Sequence, residues 1–415
     1  MGTSLSVVVI ADDLTGAADT GVQFCPAVGP VALLDTIPQG CDGLPTGLAI
    51  STNSRRLSPD SAARAVRTAV IQALPWSPGL IYKKIDSCLR GNLGDEIEAL
   101  LAATGSPAAF VAPAYPEQGR TTEAGIHLIN GRPVAETEIG RDPRAPLTTS
   151  DLAHLLSGQC RLGIGSVGVD LLEGADEPLI DAIRSHLDKQ RRLIVFDVHQ
   201  RCHLDRIAIL AVGNFPAVVP VGSAGLAGSL ARLMAPERLH PPAALRPIDS
   251  WLFICGSASQ TLAAQVARLV QATDWPQLRI GAAELATGWP TNVLEQGQKL
   301  FEETGHKGLI ISIEPGDGCR PPADPQQVVL GLAGIGAELA GRLHPDGLFL
   351  CGGDTAEAFR RRVKATGLLL REQPAAGLVR GEFIGGTCAD RSVVTKAGGF
   401  GDEETLIGLV NRCAP

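Results

Sequence analysis

Two adjacent carboxylates, Asp12 and Asp13, stand at the end of the apolar run 5–11, and a Thr-Gly turn with small residues follows in ADDLTGAADTG (11–21). A strand end that delivers an acid to the start of a helix can take a proton from a hydroxyl, hold a metal, or face an anion drawn to the helix N-terminus. A helix cap would account for one aspartate. It would not account for two, beside small residues that let a ligand approach the backbone. Arg55 and Arg56 lie in STNSRRLS (51–58). A guanidinium there forks onto a carboxylate or phosphate, or else the two form a solvated surface pair. Lys83, Lys84, Asp86, Ser87 and Arg90 crowd the join between a strand and a helix in YKKIDSCLRGNLGDEIEAL (82–100). Such a mixture is poor surface design and good anion-site design, with Lys as point charge, Arg as fork, and Ser and Asp for hydroxyls. Strand alternation puts Lys84 and Asp86 on one face and Lys83 on the other. PAYPEQGRTTEAGIHLING (113–131) reads as a long polar loop carrying Glu117, Gln118, Arg120 and Thr121. Together these segments describe a pocket for a small, anionic, polyhydroxylated molecule such as a sugar acid.

The second half of the chain is poor in clustered charge and rich in glycine turns. GSASQT (256–261) follows WLFIC, CGGDTAEAF (351–359) follows GLFL, and KAGGFGDEETL (396–406) follows RSVVT. Backbone N–H groups in strand-to-helix turns of this kind can cradle phosphates, and three in one half suggest a nucleotide. No G-x-x-x-x-G-K-[ST] is present, so a P-loop is excluded. GIGSVG (163–168) matches G-x-G-x-x-G, but the following VDLLEGADEP makes a poor dinucleotide-binding helix. His199 and His203 are four apart at a strand end, with no carboxylate partner evident, and read as core or surface histidines.

The elements that must position these groups are legible as short apolar runs alternating with helical patterns. Runs at 5–11, 47–52, 79–85, 192–198, 251–255, 308–313 and 347–351 are nearly continuous in apolar residues, as strands of parallel sheets covered on both faces are. Helical patterns span 58–74, 92–103, 178–190, 223–234, 258–271, 292–304 and 325–342, with Ser58-Pro59 as a start signal and Asn92 or Gly91 capping the second. The fold class is therefore α/β, in two domains, each with a mostly parallel sheet flanked by helices, and ligands are expected in a cleft between the domains. The proline-rich stretch APERLHPPAALRPIDS supplies the boundary: domain one at 1–235, a linker at 236–250, domain two at 251–415.

Composition narrows the class further. With 45% apolar and 19% charged residues the 415-residue chain is neither disordered nor fibrous. The 48 glycines and 29 prolines have no fixed period and belong in turns and ligand loops. A net charge of −8 argues against nucleic acid as a partner. No apolar run approaches a membrane span, and MGTSLS, a loose match to a lipidation pattern, runs almost at once into a strand. The ten cysteines form no C-x-x-C and read as buried thiols of a reducing, cytoplasmic setting.

The motifs ADDLTGAADTGVQ (11–23), KKIDSCLRGNLGDEI (83–97), PAYPEQGRTT (113–122) with NGRPVAETE (130–138), GSAGLAG (222–228), CGGDTAEAF and KAGGFGDEETL, in this order, resemble the four-carbon acid sugar kinase family over essentially the whole chain. The resemblance implies an N-terminal substrate domain and a C-terminal nucleotide domain, with ATP phosphorylating the terminal hydroxyl of threonate, erythronate or 3-oxo-tetronate. The TGVQ segment is closer to threonate members, and Leu14 stands where many members carry Phe. By motif, Asp13, Arg55, Lys84, Ile85, Asp86 and Ser87 resemble substrate contacts. Ser257, Gly352, Gly353, Asp354, Thr355, Gly398 and Gly399 resemble nucleotide contacts. The expected enzyme uses ATP and Mg²⁺, with Lys84, Arg90 and Arg55 holding the substrate carboxylate and Asp13, or Asp12 as second choice, orienting or deprotonating the hydroxyl. The Mg²⁺ ligands, the stereochemistry of the acid and the oligomeric state, a homodimer among the options, are not fixed by the sequence. Two other readings stand beside this one. A nicotinamide-dependent hydroxy-acid dehydrogenase would need residues 163–168 to form a dinucleotide turn. A non-catalytic sugar-acid binding protein would need no chemistry from the acidic pair.

Overall fold

The runs that lack polar alternation become strands buried on both faces. A computed structural model describes residues 5–38, 45–141, 146–234, 245–290, 292–314, 323–389 and 391–415. The chain divides into two units, Met1–Pro241 and Pro242–Pro415. Most of the expected linker, together with residues 1–4, lies outside the described residues. Its last part is not a free tether: Ile248 is buried in the second unit's core, and its N–H donates to the Cys413 carbonyl at 2.7 Å.

In the first unit the elements run β1 (Val7–Ala11), α1 (Leu14–Val28), β2 (Val31–Leu34), β3 (Gly47–Ser51), α2 (Pro59–Ala73), β4 (Ile81–Lys84), α3 (Leu93–Thr104) and β5 (Ala109–Ala112). They continue β6 (Arg120–Glu123), β7 (Ile126–Ile129), β8 (Arg132–Pro133), α4 (Leu152–Gln159), β9 (Gly163–Val167), α5 (Val169–Glu173), α6 (Asp176–Asp188), β10 (Arg191–Phe196), α7 (Arg201–Ile209), β11 (Val219–Gly222) and α8 (Ala224–Met234). The sheet order is β2-β3-β1-β4-β11-β5-β10-β9, and every pairing is parallel. From β1 the winding goes one way to β3 and β2, and from β4 it goes the other. The β1/β4 boundary is therefore the switch point at which α/β sheets gather ligands. Ala11 pairs with both Ser51 and Lys84, so the residues after β1, β3 and β4 leave the sheet at one level.

Two expectations change here. The stretch read as a polar loop forms a small antiparallel sheet, β6-β7-β8, because Thr121, Thr122, Ile126, His127 and Leu128 supply a short alternating pattern that the polar composition hid. GIGSVG is not a dinucleotide turn: Gly163–Val167 is the edge strand β9 and α5 after it has five residues. The nicotinamide reading loses the feature it required.

The second unit contains β12 (Trp251–Cys255), α9 (Gln260–Thr273), β13 (Gln277–Gly281), α10 (Ala282–Thr287), α11 (Val293–Glu303), β14 (Gly308–Glu314), α12 (Pro325–Leu343), β15 (Gly347–Cys351), α13 (Gly353–Arg362), β16 (Gly367–Ala375), β17 (Leu378–Ile384), β18 (Ser392–Lys396) and α14 (Thr405–Cys413). Its strand order is β13-β14-β12-β15-β18-β17-β16, parallel from β13 to β18, with β17 antiparallel to both of its neighbours. The β16–β17 hairpin was not expected. The direction of winding reverses between β12 and β15, which makes that boundary the second unit's switch point. Trp251, Phe253 and Phe349 pack in its core.

Candidate active site

Asp13 caps α1: its Oδ1 accepts the Gly16 N–H at 2.9 Å, and its Oδ2 accepts the Thr15 hydroxyl at 2.8 Å. Arg55, from the loop after β3, reaches over the end of β1. Its Nη1 and Nη2 donate to the two Asp13 oxygens at 2.8 Å each, and its Nε and Nη2 donate to Asp12 at 2.6 and 3.0 Å. Asp86 lies 3.7 Å from the same guanidinium. These three carboxylates hold Arg55 firmly in its charged form, well above the usual guanidinium range, against the cost of its burial. Asp12 is 3% exposed with both oxygens taken. Burial opposes its charge, but Arg55, Lys84 and Lys83 hold its carboxyl below the usual carboxylate range. Arg56 is exposed.

The two lysines of β4 separate as alternation predicts. Lys83 is fully buried and pairs with Glu96 of α3 at 2.7 Å, while Ser54 donates to the other Glu96 oxygen at 2.6 Å. Lys84 lies over α1 instead. A Cβ placed on Gly16 would come within 2.8 Å of the Lys84 ammonium, so only glycine admits the lysine at this point. Its charge acts on Asp12, Asp19 and Asp86. Asp86 is held far below the ordinary carboxylate range; burial opposes this, and Arg90 and Arg55 overcome it. Arg90 is thereby largely committed, its Nε and Nη2 donating to Asp86 at 2.6 and 3.1 Å. The Ile85 side chain is core, 2% exposed, with its N–H bonded to the Gly222 carbonyl, so only its backbone carbonyl is left for a ligand. Glu117 points instead to Arg201, 3.9 Å away, in a separate depression with His199 and Cys202.

Several supporting residues escaped the sequence reading. His127 of β7 is buried, with Nε2 2.8 Å from the Ser87 carbonyl and Nδ1 3.0 Å from the Thr122 hydroxyl. Burial pushes this imidazole down to about 4, so at neutral pH the uncharged ring donates to Ser87 and accepts from Thr122. Asn92 sits at the start of α3, yet its amide donates to the Ser54 and Leu57 carbonyls; the helix is capped from outside by Gln159, which accepts the Gly94 N–H at 2.9 Å. Glu96 could have been found, since it stands beside Leu93, Ile97 and Leu100 on the apolar face of α3, where an acid needs a buried partner. His203 also departs from expectation, having Glu173 as a carboxylate partner at 3.1 Å.

In the second unit the glycine turns leave three neighbouring strands at one level, because Cys351 pairs with both Cys255 and Lys396. The turns touch one another. A Cβ on Gly398 would fall 2.0 Å from the Ser257 Oγ, and one on Gly256 would fall 2.0 Å from the Thr355 Oγ1. Gly352 has φ +105° and begins α13 with no side chain capping the helix. Around Gly399 nothing lies within 4 Å of where a Cβ would be. Lys396 is buried, and its ammonium donates to the Ala397 and Gly398 carbonyls at 3.2 Å. All the expected nucleotide contacts, Ser257, Gly352 through Thr355, Gly398 and Gly399, thus belong to one constellation, with the Asp354 side chain on its exposed rim.

The fold and these strand ends define a two-unit α/β protein, with a cluster of charged side chains at the switch point of one sheet and a cluster of glycine turns at that of the other. Residues 7–230 match the family described as a sugar-binding N-terminal domain, and residues 252–406 match that described as a nucleotide-binding C-terminal domain. The chain is 31% identical to the D-threonate kinase of Salmonella typhimurium over 97% of each chain. It is 32% identical to the D-threonate kinase of Bordetella bronchiseptica over 96% of this chain and 95% of that one. It is 28% identical to the D-erythronate kinase of Heliobacterium modesticaldum over 98% of this chain and 96% of that one. A solved structure from Salmonella typhimurium LT2 shares the fold with a TM-score of 0.79, at 22% identity over 97% of this chain and 98% of that one. The chain belongs to the four-carbon acid sugar kinase family. No helix among the described residues is long and apolar enough to cross a membrane.

Proposed function

We propose that this chain is an ATP-dependent kinase that phosphorylates the terminal hydroxyl of D-threonate. The observation that carries the reading is the convergence of Asp13, Arg55 and Lys84 on the ends of β1, β3 and β4, at the switch point of the unit that matches a sugar-binding domain. Relatives named D-threonate kinase stand at 31–32% identity, while the D-erythronate kinase stands at 28%. That difference favours threonate.

Lys84 offers a point charge for the substrate carboxylate. Arg55 has five N–H groups. Four of them are spent on Asp12 and Asp13, so one is left for the ligand. Ser87, its carbonyl fixed by His127, offers a hydroxyl for the polyol. Asp13 and Arg55 set the electrostatic frame in which the primary hydroxyl is oriented. In the second unit the start of α13, a helix N-terminus preceded by Gly352 with no capping side chain, suits the triphosphate. Mg²⁺ carried on the phosphates would neutralise charge on the transferring group. The described residues hold no cluster of three His, Cys, Asp or Glu, which fits an ion carried mainly by the nucleotide. Catalysis then comes chiefly from positioning and electrostatics.

The test is a coupled ADP-release assay over D- and L-threonate, D- and L-erythronate and their 3-oxo forms. D-Threonate should give the highest kcat/KM. No ADP release with any of these acids would overturn the reading.

A further inference from the structure

The glycine motifs of the second unit carry charge of the wrong sign for a phosphate chain. Residues 256–261, 351–359 and 396–406 contain the acids Asp354, Glu357, Asp402, Glu403 and Glu404 and a single base, Lys396. Phosphoryl groups are held by positive charge and by backbone N–H groups. Lys396 ends β18 in register with Cys351 of β15, which is itself in register with Cys255 of β12. Register partners on parallel strands share a face, so the lysine lies in a row with two thiols. Burial pushes the Cys255 thiol well up and the Cys351 thiol up to about 11, so neither supplies a counter-charge at neutral pH.

Lys396 is 1% exposed. Among the described residues its ammonium meets no carboxylate; its partners are the Ala397 and Gly398 carbonyls, each at 3.2 Å. Two of its three N–H donors are thereby used. A buried cation with no counter-ion is costly, and a strand end that needed only packing would do better with an apolar side chain. The two contacts also shape the turn. A trans peptide sets its N–H opposite its carbonyl, so the N–H groups of Gly398 and Gly399 point away from the ammonium. Neither has a backbone partner among the described residues. Farther along, the buried Gln265 of α9 donates to the Phe400 and Asp402 carbonyls at 3.0 and 2.8 Å, which ties down the rest of the segment.

We propose that Lys396 is the positioning residue and the source of positive charge for the phosphate chain of the nucleotide: it holds the Ala397 and Gly398 carbonyls on its own side, so that the Gly398 and Gly399 N–H groups are presented to phosphate on the other. This rests on the nucleotide-binding reading of the second unit and assigns a residue within it. Burial pushes the lysine down from its ordinary value, with Cys351 and Cys255 opposing, so a phosphate brought to the turn relieves the cost of the buried charge.

The experiment is isothermal titration calorimetry of ADP, AMP and adenosine on the full chain, in wild type, Lys396→Met and Lys396→Arg. Lys396→Met keeps a side chain of similar length and removes the charge. It should weaken ADP about tenfold or more, AMP by less, and adenosine by no more than about twofold. Lys396→Arg keeps the charge and should retain part of the ADP affinity that Lys396→Met loses. Unchanged ADP affinity in Lys396→Met, or equal losses for ADP and adenosine, would overturn the assignment, the second because it marks a merely structural role. A measurement on wild type decides the matter even should the variants fold poorly. In protein labelled with ¹³C at the lysine Cε, the Lys396 signal should shift on adding ADP and stay in place on adding adenosine; a signal unmoved by saturating ADP would overturn the assignment. A wild type that binds neither ATP nor ADP would overturn the nucleotide-binding reading itself.

Discussion

Arg55 grips Asp13 at two points, Nη1 on Oδ2 and Nη2 on Oδ1, each at 2.8 Å, while the same guanidinium holds Asp12. The relationship joins the loops after β1 and β3, neighbouring strands whose ends lie level, and it needs a planar fork to serve two carboxylates at once. Lysine offers a point charge and cannot reproduce it. Arg55→Lys should therefore lower kcat/KM for the sugar acid by about 10²-fold, through lost orientation, with KM for ATP unchanged in steady-state kinetics. Equal losses for both substrates would place Arg55 elsewhere in the mechanism.

Asp13 is the N-cap of α1 as well as the partner of Arg55. Asp13→Asn keeps an acceptor for Gly16 and loses the charge facing Arg55. Turnover should drop by about 10²-fold while ATP still raises the melting temperature as it does in wild type. A variant with normal turnover would remove Asp13 from the site.

The buried Lys83–Glu96 pair is a folding requirement. Glu96→Ala leaves an ammonium uncompensated in the core, and chemical denaturation should show a loss of about 3–5 kcal/mol. Replacing both partners, as Lys83→Met with Glu96→Leu, should be much milder. A single variant as stable as wild type would contradict the burial described for the pair.

His127 sets a pH dependence of stability. Its folded value, pushed down to about 4, lies below that of the unfolded chain, so between about 4 and 6.5 the unfolded state binds the extra proton. This group's contribution to stability rises with pH across that window and is constant above it. Wild type minus His127→Gln, followed by urea midpoint, should show that slope. A flat difference would mean that the imidazole is not buried in its neutral form.

Gly352 begins α13 at φ +105°. Gly352→Ala strains the turn and places a methyl beside the Ser257 N–H. KM for ATP should rise at least about tenfold while KM for the sugar acid stays within about twofold. The reverse pattern would put the nucleotide elsewhere.

The parallel architecture was readable because runs such as VVVIA and WLFIC have no polar face, and the acids and bases that follow them mark strand ends. The site candidates Asp13, Arg55, Lys84 and the glycine turns were legible for the same reason. What stayed hidden was the outcome of competition among charges. Sequence places Asp12, Asp13, Arg55, Asp86 and Arg90 near one another, but only geometry shows that Arg55 is spent on Asp12 and Asp13, and Arg90 on Asp86. The β6–β7 hairpin was missed because its threonines and histidine look like loop residues until His127 turns inward to Ser87.

The central claim is phosphoryl transfer to a primary hydroxyl, and phosphorus NMR of the reaction of the full chain with ATP, Mg²⁺ and D-threonate tests it most directly. A new phosphomonoester resonance split into a triplet by two methylene protons, growing in step with ADP, is the predicted result. A doublet from a secondary carbon, or ADP appearing with inorganic phosphate alone, would contradict it.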